Sequence, residues 1–192
     1  CAADEVYFTS GGTESNNMAV FGTLKSLRGK RRIITSAVEH PSVYETFRSL
    51  EGSAETEVVL IGCNRDGTAD LADLEQALTD DTALVSLMHV NNEVGAVNDL
   101  AAVSALLKKR APNAVFHSDG VQAFCKLPFT RVPCDLYSVS AHKFHAPKGV
   151  GLLAVRSGFK FAGGQIGGGQ EKNLRSGTTN VPGILAMDTA LS

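Results

Sequence analysis

The segment Asp135-Leu-Tyr-Ser-Val-Ser-Ala-His-Lys143 is a short run of β-prone residues that gives way to a polar turn and a lysine. Upstream, Phe116-His-Ser-Asp119-Gly-Val-Gln122 has the same form, a strand ending in an acid. Neither run alternates strictly between apolar and polar residues, which is the pattern of strands covered on both faces of a mainly parallel sheet. The same reading predicts strands over Val6–Thr9, Arg32–Ser36, Glu57–Ile61, Ala83–Met88, Ala114–Ser118, Leu136–Ser140 and Gly151–Val155. Amphipathic stretches between them predict helices over Glu14–Leu27, Ser42–Leu50, Asp70–Leu78 and Leu100–Arg110, with a last helix from Pro182. Strand–helix alternation implies an α/β fold: a mainly parallel central sheet of about seven strands with helices on both faces. A hairpin between Val150–Val155 and Phe159–Phe161 would make that sheet mixed. Gly163–Gly169, rich in glycine, reads as a mobile loop.

The bulk of the sequence excludes several classes. With 192 residues, 43% of them hydrophobic, and only 6 prolines, the chain can bury one substantial core and is not a disordered segment. Net charge is −2, and the one basic run, Lys30-Arg31-Arg32, reads as a solvated helix-to-strand turn, so nothing resembles a nucleic-acid footprint. No apolar run approaches the length of a membrane span, and Cys1-Ala-Ala-Asp-Glu5 is not a signal peptide. The four cysteines, Cys1, Cys63, Cys125 and Cys134, form no C-x-x-C, which argues against structural zinc and suits a reducing, cytoplasmic setting. The first residue is not Met, and Asp188-Thr-Ala-Leu-Ser192 reads as an interrupted helix, so a piece of a longer protein is expected.

Ligands of open α/β sheets sit beyond the carboxyl ends of the strands, and the chain's polar clusters fall there. Ser10–Thr13 follows the first strand, His40 the second, Asn91-Asn92-Glu93 the fourth, Asp119 the fifth and Lys143 the sixth. In Ser10-Gly11-Gly12-Thr13-Glu14, two glycines between strand and helix free backbone N–H groups to face an anion. The Thr13 hydroxyl adds a donor, and no G-K-[ST] follows, so this is not a nucleotide P-loop. Ser140 and His142 can donate to the same phosphate. Lys143 can form a Schiff base with an aldehyde, and Asp119 can keep a ring nitrogen protonated. Together these are the requirements of pyridoxal phosphate chemistry.

Each residue also has a plainer reading. Asp119 could be a helix N-cap before Gly120, and His40, before Pro41, a loop-filling histidine rather than a ring stacked on the cofactor. Gln122 and Asn92 could reach the ring's phenolic oxygen. Lys148, after Pro147, reads as solvent-facing. A metal site through His142, His145 and His117 lacks a carboxylate at ligand spacing. The polar stretch Gly168–Pro182 suits either a surface loop or a segment that crosses a subunit boundary.

Phe8-Thr-Ser-Gly-Gly-Thr-Glu-Ser-Asn-Asn17, Glu39-His-Pro-Ser42, Val90-Asn-Asn-Glu-Val-Gly95, Ser118-Asp-Gly-Val-Gln122, Ser140-Ala-His-Lys143, Pro147-Lys-Gly-Val-Gly151 and Leu174-Arg-Ser-Gly-Thr-Thr-Asn-Val-Pro182 occur in an order that resembles the cysteine desulfurases. These are fold-type I, class V aminotransferase-like enzymes, and selenocysteine lyases are close relatives. The resemblance implies that Lys143 is the Schiff-base lysine, that Asp119 pairs with the pyridine nitrogen and that Gln122 pairs with the phenolic oxygen. It implies that Gly12, Thr13, Ser140 and His142 hold the phosphate. His40 would stack on the ring and handle protons, Asn92 would contact cofactor and substrate, and Thr178 would reach the phosphate of a partner subunit in a homodimer. The resemblance implies no metal.

The resemblance further implies removal of sulfur from L-cysteine to give L-alanine and an enzyme persulfide, with Lys143 as the base for the α-proton. A sulfur acceptor such as an iron–sulfur scaffold protein would follow. None of the four cysteines matches the family's sulfur-accepting position, and Cys125 is expected to pack in the core or against a helix. The chain is expected to be the cofactor-binding large domain alone, lacking an N-terminal arm and a small C-terminal domain. A selenocysteine lyase, another class V enzyme, a non-catalytic scaffold of the same fold and a nucleotide-dependent enzyme using the glycine turn are the alternatives. The Glu39-His-Pro and Arg175-Ser-Gly-Thr signatures favour the desulfurase branch.

Overall fold

The computed structural model describes residues 2–29, 31–128, 131–159 and 162–192. Along the chain run β1 (Val6–Thr9), α1 (Gly12–Ser26), β2 (Arg31–Ser36), α2 (Pro41–Arg48), β3 (Thr56–Ile61), α3 (Leu71–Ala77), β4 (Thr82–Ser86), α4 (Leu100–Arg110), β5 (Val115–Asp119), β6 (Leu136–Ser140), β7 (Gly151–Val155) and α5 (Val181–Leu191). The strands form one sheet in the order β1-β7-β6-β5-β4-β2-β3. Strands β2 to β6 are mutually parallel, whereas β7 lies antiparallel between β6 and β1. Two reversals cancel, so β1 points the same way as β6 and its carboxyl end joins the common rim. The sheet is mixed, as expected, but the partners of β7 are β6 and β1. Of the anticipated second hairpin arm, Lys160 and Phe161 lie outside the described residues.

Neighbouring strand residues divide between two cores, which is the structural meaning of the unbroken apolar runs. Ile33, Leu84 and Val115 pack with Met18, Val20, Val43 and Phe47 of α1 and α2. Ile34, Val85 and Phe116 face Leu74, Leu100, Val103, Leu107 and Met187 of α3, α4 and α5. The helices start where the sequence supplies caps. Asp70 accepts from the N–H groups of Ala72 and Asp73, Asp99 from those of Ala101 and Ala102, and Asn180 from that of Gly183. At the amino end of β2, Arg32 grips Glu57 of β3 with Nε and Nη2 at 3.2 and 3.0 Å, and its other partner is the Ala77 carbonyl. One residue of the three-residue basic run, Arg32, is therefore an edge clamp between strands, and Lys30 lies outside the described residues. Among the described residues no helix is long and apolar enough to cross a membrane.

Candidate functional site

Register brings the rim together. Thr9 of β1 pairs with Gly151 of β7, and Gly151 with Ser140 of β6, while Asp119 of β5 lies opposite Ser138 of β6. The glycine turn leaving β1 thus stands beside Ser140, and the 3-10 turn Ala141–Phe144 carries His142 and Lys143 onward from the same strand end. Two glycines permit this approach. A methyl group on Gly12 would come within 2.7 Å of Val121 Cγ2, and one on Gly151 within 2.7 Å of Gly11 Cα. Gly11 itself adopts φ +150°, open essentially to glycine alone.

Asp119 is buried at the centre of this rim. Its Oδ1 accepts from the Val121 N–H at 2.9 Å, and its Oδ2 from Asn16 Nδ2 at 2.7 Å. Burial pushes its carboxyl above the usual range; those two donors and the neighbouring His40 ring oppose that push. The Val121 contact closes a turn rather than a helix, so Asp119 is not the N-cap that its spacing also allowed. Asn16 Nδ2 also donates to Ser42 Oγ at 2.8 Å, and that hydroxyl lies 2.8 Å from His40 Nδ1. One polar chain therefore runs from Asp119 through α1 to the start of α2. His40 caps α2, its Nδ1 accepting from the Ser42 N–H at 3.1 Å.

Ser140 is buried, and its hydroxyl lies 2.9 Å from His142 Nδ1. Lys143, His142 and Lys148 are exposed at the rim. Burial, then the charges of Lys143 and Lys148, hold His142 below its usual value, and Lys126 is lowered by burial and by Lys143. These groups share a field of positive sign, suited to an anionic ligand. Gln122 accepts from Lys126 Nζ at 2.6 Å, and Asn92 Nδ2 donates to Glu93. Thr13 is exposed at the turn, and Thr178 lines a shallow hollow with Ser10, Gly149, Arg175 and Asn180. His117, by contrast, is sealed within the sheet between Ser86 and Ser138, and burial drops its ring to about 3, so it is a neutral core histidine.

A family model, aminotransferase class-V, matches residues 1–192. The chain belongs to the class V aminotransferase family. It is 44% identical over 192 residues to the cysteine desulfurase IscS of Dictyoglomus turgidum, covering 98% of this chain and 48% of that protein. Among solved structures, a NifS-like protein superposes with a TM-score of 0.94 at 39% identity, over 99% of this chain and 53% of the other. SspA in complex with cysteine superposes with a TM-score of 0.91 at 34% identity, over 100% and 56%. The chain spans about half the length of the curated relatives it matches.

Several features of this class V site escape a residue-by-residue reading. Asn16 sits on the buried face of α1, and its only sequence signal is a polar residue where the helix should be apolar. Glu39 is buried; its Oε1 accepts from the Met88 N–H and from Ser36 Oγ, both at 2.9 Å. Burial pushes its carboxyl up to about 8; the two donors oppose this, and the Asp119 charge adds to it. Both acids are thus pushed up by burial, Glu39 to about 8. Gly120 is also dictated by packing, since a methyl group there would fall 1.9 Å from Tyr137 Cζ. Cys125 is exposed at φ +61°, contrary to the expectation that it packs inside. Gly163–Gly169, read as a mobile loop, is hydrogen-bonded to the segment that follows it: the Gly164 N–H donates to the Leu174 carbonyl and the Ser176 N–H to that of Gln165.

Proposed function

We propose that this chain is the pyridoxal phosphate-binding large domain of a cysteine desulfurase that acts on L-cysteine and releases L-alanine. One observation carries the reading. A buried carboxyl, Asp119, is held by two donors on the strand next to the one that delivers Ser140, His142 and Lys143, with the Gly11-Gly12 turn packed closely beside them against Val121 and Gly151. The donor set fits the cofactor: an acid for a protonated ring nitrogen, hydroxyl and N–H donors with positive charge for a phosphate, and an accessible primary amine. The 44% identity to a named cysteine desulfurase and the likeness to a cysteine-bound relative support the choice of substrate.

Bound there, the cofactor supplies an electron sink for the carbanion left when an amino acid loses its α-proton. Gly12, Thr13, Ser140 and His142 would hold its phosphate, Gln122 and Asn92 its phenolic oxygen, and Lys143 its aldehyde carbon. Asp119 would fix the ring nitrogen as N–H, and Asn16, donating to its Oδ2, aims that carboxyl and opposes the upward push of burial. His40, held at Nδ1 by its own helix cap, would lie over the ring. Lys143, at the open rim, would take the α-proton of the bound amino acid. The desulfurase kinship further suggests a homodimer in which Thr178 reaches the partner's phosphate site, a cytoplasmic setting and delivery of sulfur to an iron–sulfur scaffold protein.

The reading is tested by incubating the protein with pyridoxal phosphate and recording the visible band before and after borohydride, together with intact mass. A band that borohydride removes while fixing the added mass, both absent in Lys143→Ala, is the expected result. Formation of alanine from L-cysteine is not expected of this chain alone, since none of its four cysteines matches the family's sulfur-accepting position. A fully retained adduct in Lys143→Ala would refute the assignment.

A further inference from the structure

Glu14 and Arg175 meet at the mouth of the glycine turn. Arg175 Nε and Nη2 donate to the two carboxylate oxygens of Glu14 at 2.7 and 3.2 Å, a forked pair about four-fifths shielded from solvent on each side. Glu14 Oε2 also accepts from the Ser10 N–H at 2.7 Å. The acid occupies the third position of α1 and reaches back across the cap, fixing the direction in which the chain enters the turn. Burial raises its carboxyl, but the hydrogen bonds from Arg175 and Ser10 outweigh it and hold Glu14 below its usual value. Glu14 is therefore a full negative charge in the first turn of the helix whose amino end faces the phosphate position, where it opposes an incoming anion. Arg175 comes from a different part of the chain. Its segment is fastened to the β1 edge, with Glu171 Oε2 accepting from the Phe8 N–H at 2.9 Å and the Asn180 amide donating to the Gly149 carbonyl.

We infer that Arg175 is a positioning residue that masks the Glu14 charge, so that docking of the segment 163–180 and binding of a phosphate-bearing ligand at the Gly11-Gly12-Thr13 turn favour one another. The inference rests on the proposed function and adds a coupling to it. Glu14 orders the turn, and its charge disfavours the phosphate the turn is shaped to receive. The guanidinium removes that conflict only while its segment is docked. Linkage then requires the reverse effect: bound phosphate holds the segment down.

The test is a charge-removal cycle read by equilibrium titration. Dissociation constants for pyridoxal phosphate and for pyridoxal, which lacks the phosphate, are measured for the wild type, Glu14→Gln, Arg175→Ala and the double variant. An unmasked charge at this range should weaken pyridoxal phosphate about tenfold in Arg175→Ala, less at high salt, and pyridoxal by less than about twofold. Glu14→Gln added to Arg175→Ala should restore pyridoxal phosphate binding to within about threefold of Glu14→Gln alone, a rescue that a merely structural arginine would not show. Unchanged affinity in Arg175→Ala, or a double variant as weak as that single one, overturns the inference while leaving the cofactor assignment standing. A wild type that does not prefer pyridoxal phosphate to pyridoxal overturns both.

Discussion

At the scale of single residues, the two buried acids and the glycines around them give the sharpest expectations. Glu39 has a folded value near 8 against an ordinary 4.5. The folded chain therefore binds more protons than the unfolded chain between those values, and stability falls as pH rises from about 4.5 to 8. Full ionisation of so buried an acid costs on the order of 3–5 kcal/mol. Glu39→Gln, which keeps the acceptor for Met88 and Ser36, should flatten that slope in denaturant unfolding of the cofactor-free protein from pH 5 to pH 8.5. An unchanged slope would place the titration elsewhere. Asp119 is raised by burial too and contributes a slope of the same sign, which the variant leaves in place. Gly120→Ala drives a methyl group into the Tyr137 ring and should cost more than about 3 kcal/mol by denaturant unfolding. Gly12→Ala meets only the Val121 methyl; it should cost about 1–3 kcal/mol and weaken pyridoxal phosphate binding, with Val121→Ala restoring part of both.

At the scale of elements, the helix starts separate stability from function. Asp99 and His40 are both caps, of α4 and α2 respectively. Asp99→Ala should lower stability by about 1 kcal/mol and leave cofactor affinity unchanged, since the Asp99 carboxylate accepts from the N–H groups of Ala101 and Ala102 in its own helix. His40→Asn replaces one capping side chain with another. It should hold stability within about 0.5 kcal/mol of the wild type while changing the absorption spectrum of the bound cofactor and lowering turnover at least tenfold. Equal losses of stability in His40→Asn and His40→Ala would make this histidine only a cap. The helix boundaries fell within a few residues of expectation. The Ala83–Met88 strand ends earlier, at Ser86, because Met88 gives its N–H to Glu39 instead of to a neighbouring strand. Cys125 was misread because a positive φ in a turn leaves no trace in hydrophobicity. The hydrogen bonds of Gly163–Gly169 were not legible because glycine content reports freedom in the unfolded chain and says nothing of partners ten or more positions on.

For the whole molecule, fold class and rim were legible and the wiring was not. Unbroken apolar runs are a local signature of strands covered on both sides, and polar residues after each run mark the rim whatever the strand order. The order itself depends on pairings that no short window contains, and the same holds for the Asn16–Asp119 and Glu14–Arg175 contacts, which join residues 103 and 161 positions apart. Lys143, Ser140, His142 and Asp119 could be named because they stand at strand ends; Asn16 and Glu39 could not, because a polar residue among apolar ones reveals neither its partner nor its charge.

The reversed strand β7 also sets a timetable. β1 precedes the five parallel strands in the chain, yet the strand beside it is β7, whose residues follow some 145 positions later. Closing so long a loop is slow, and a chain that has reached β6 can stack five parallel strands while β1 stays unpaired. Pulsed hydrogen exchange during refolding should therefore protect the amides of β4 and β5 before those of Tyr7 and Phe8. The glycine turn that leaves β1 would then be among the last parts of the sheet rim to take shape, and any ligand that needs it could bind only once the sheet is finished.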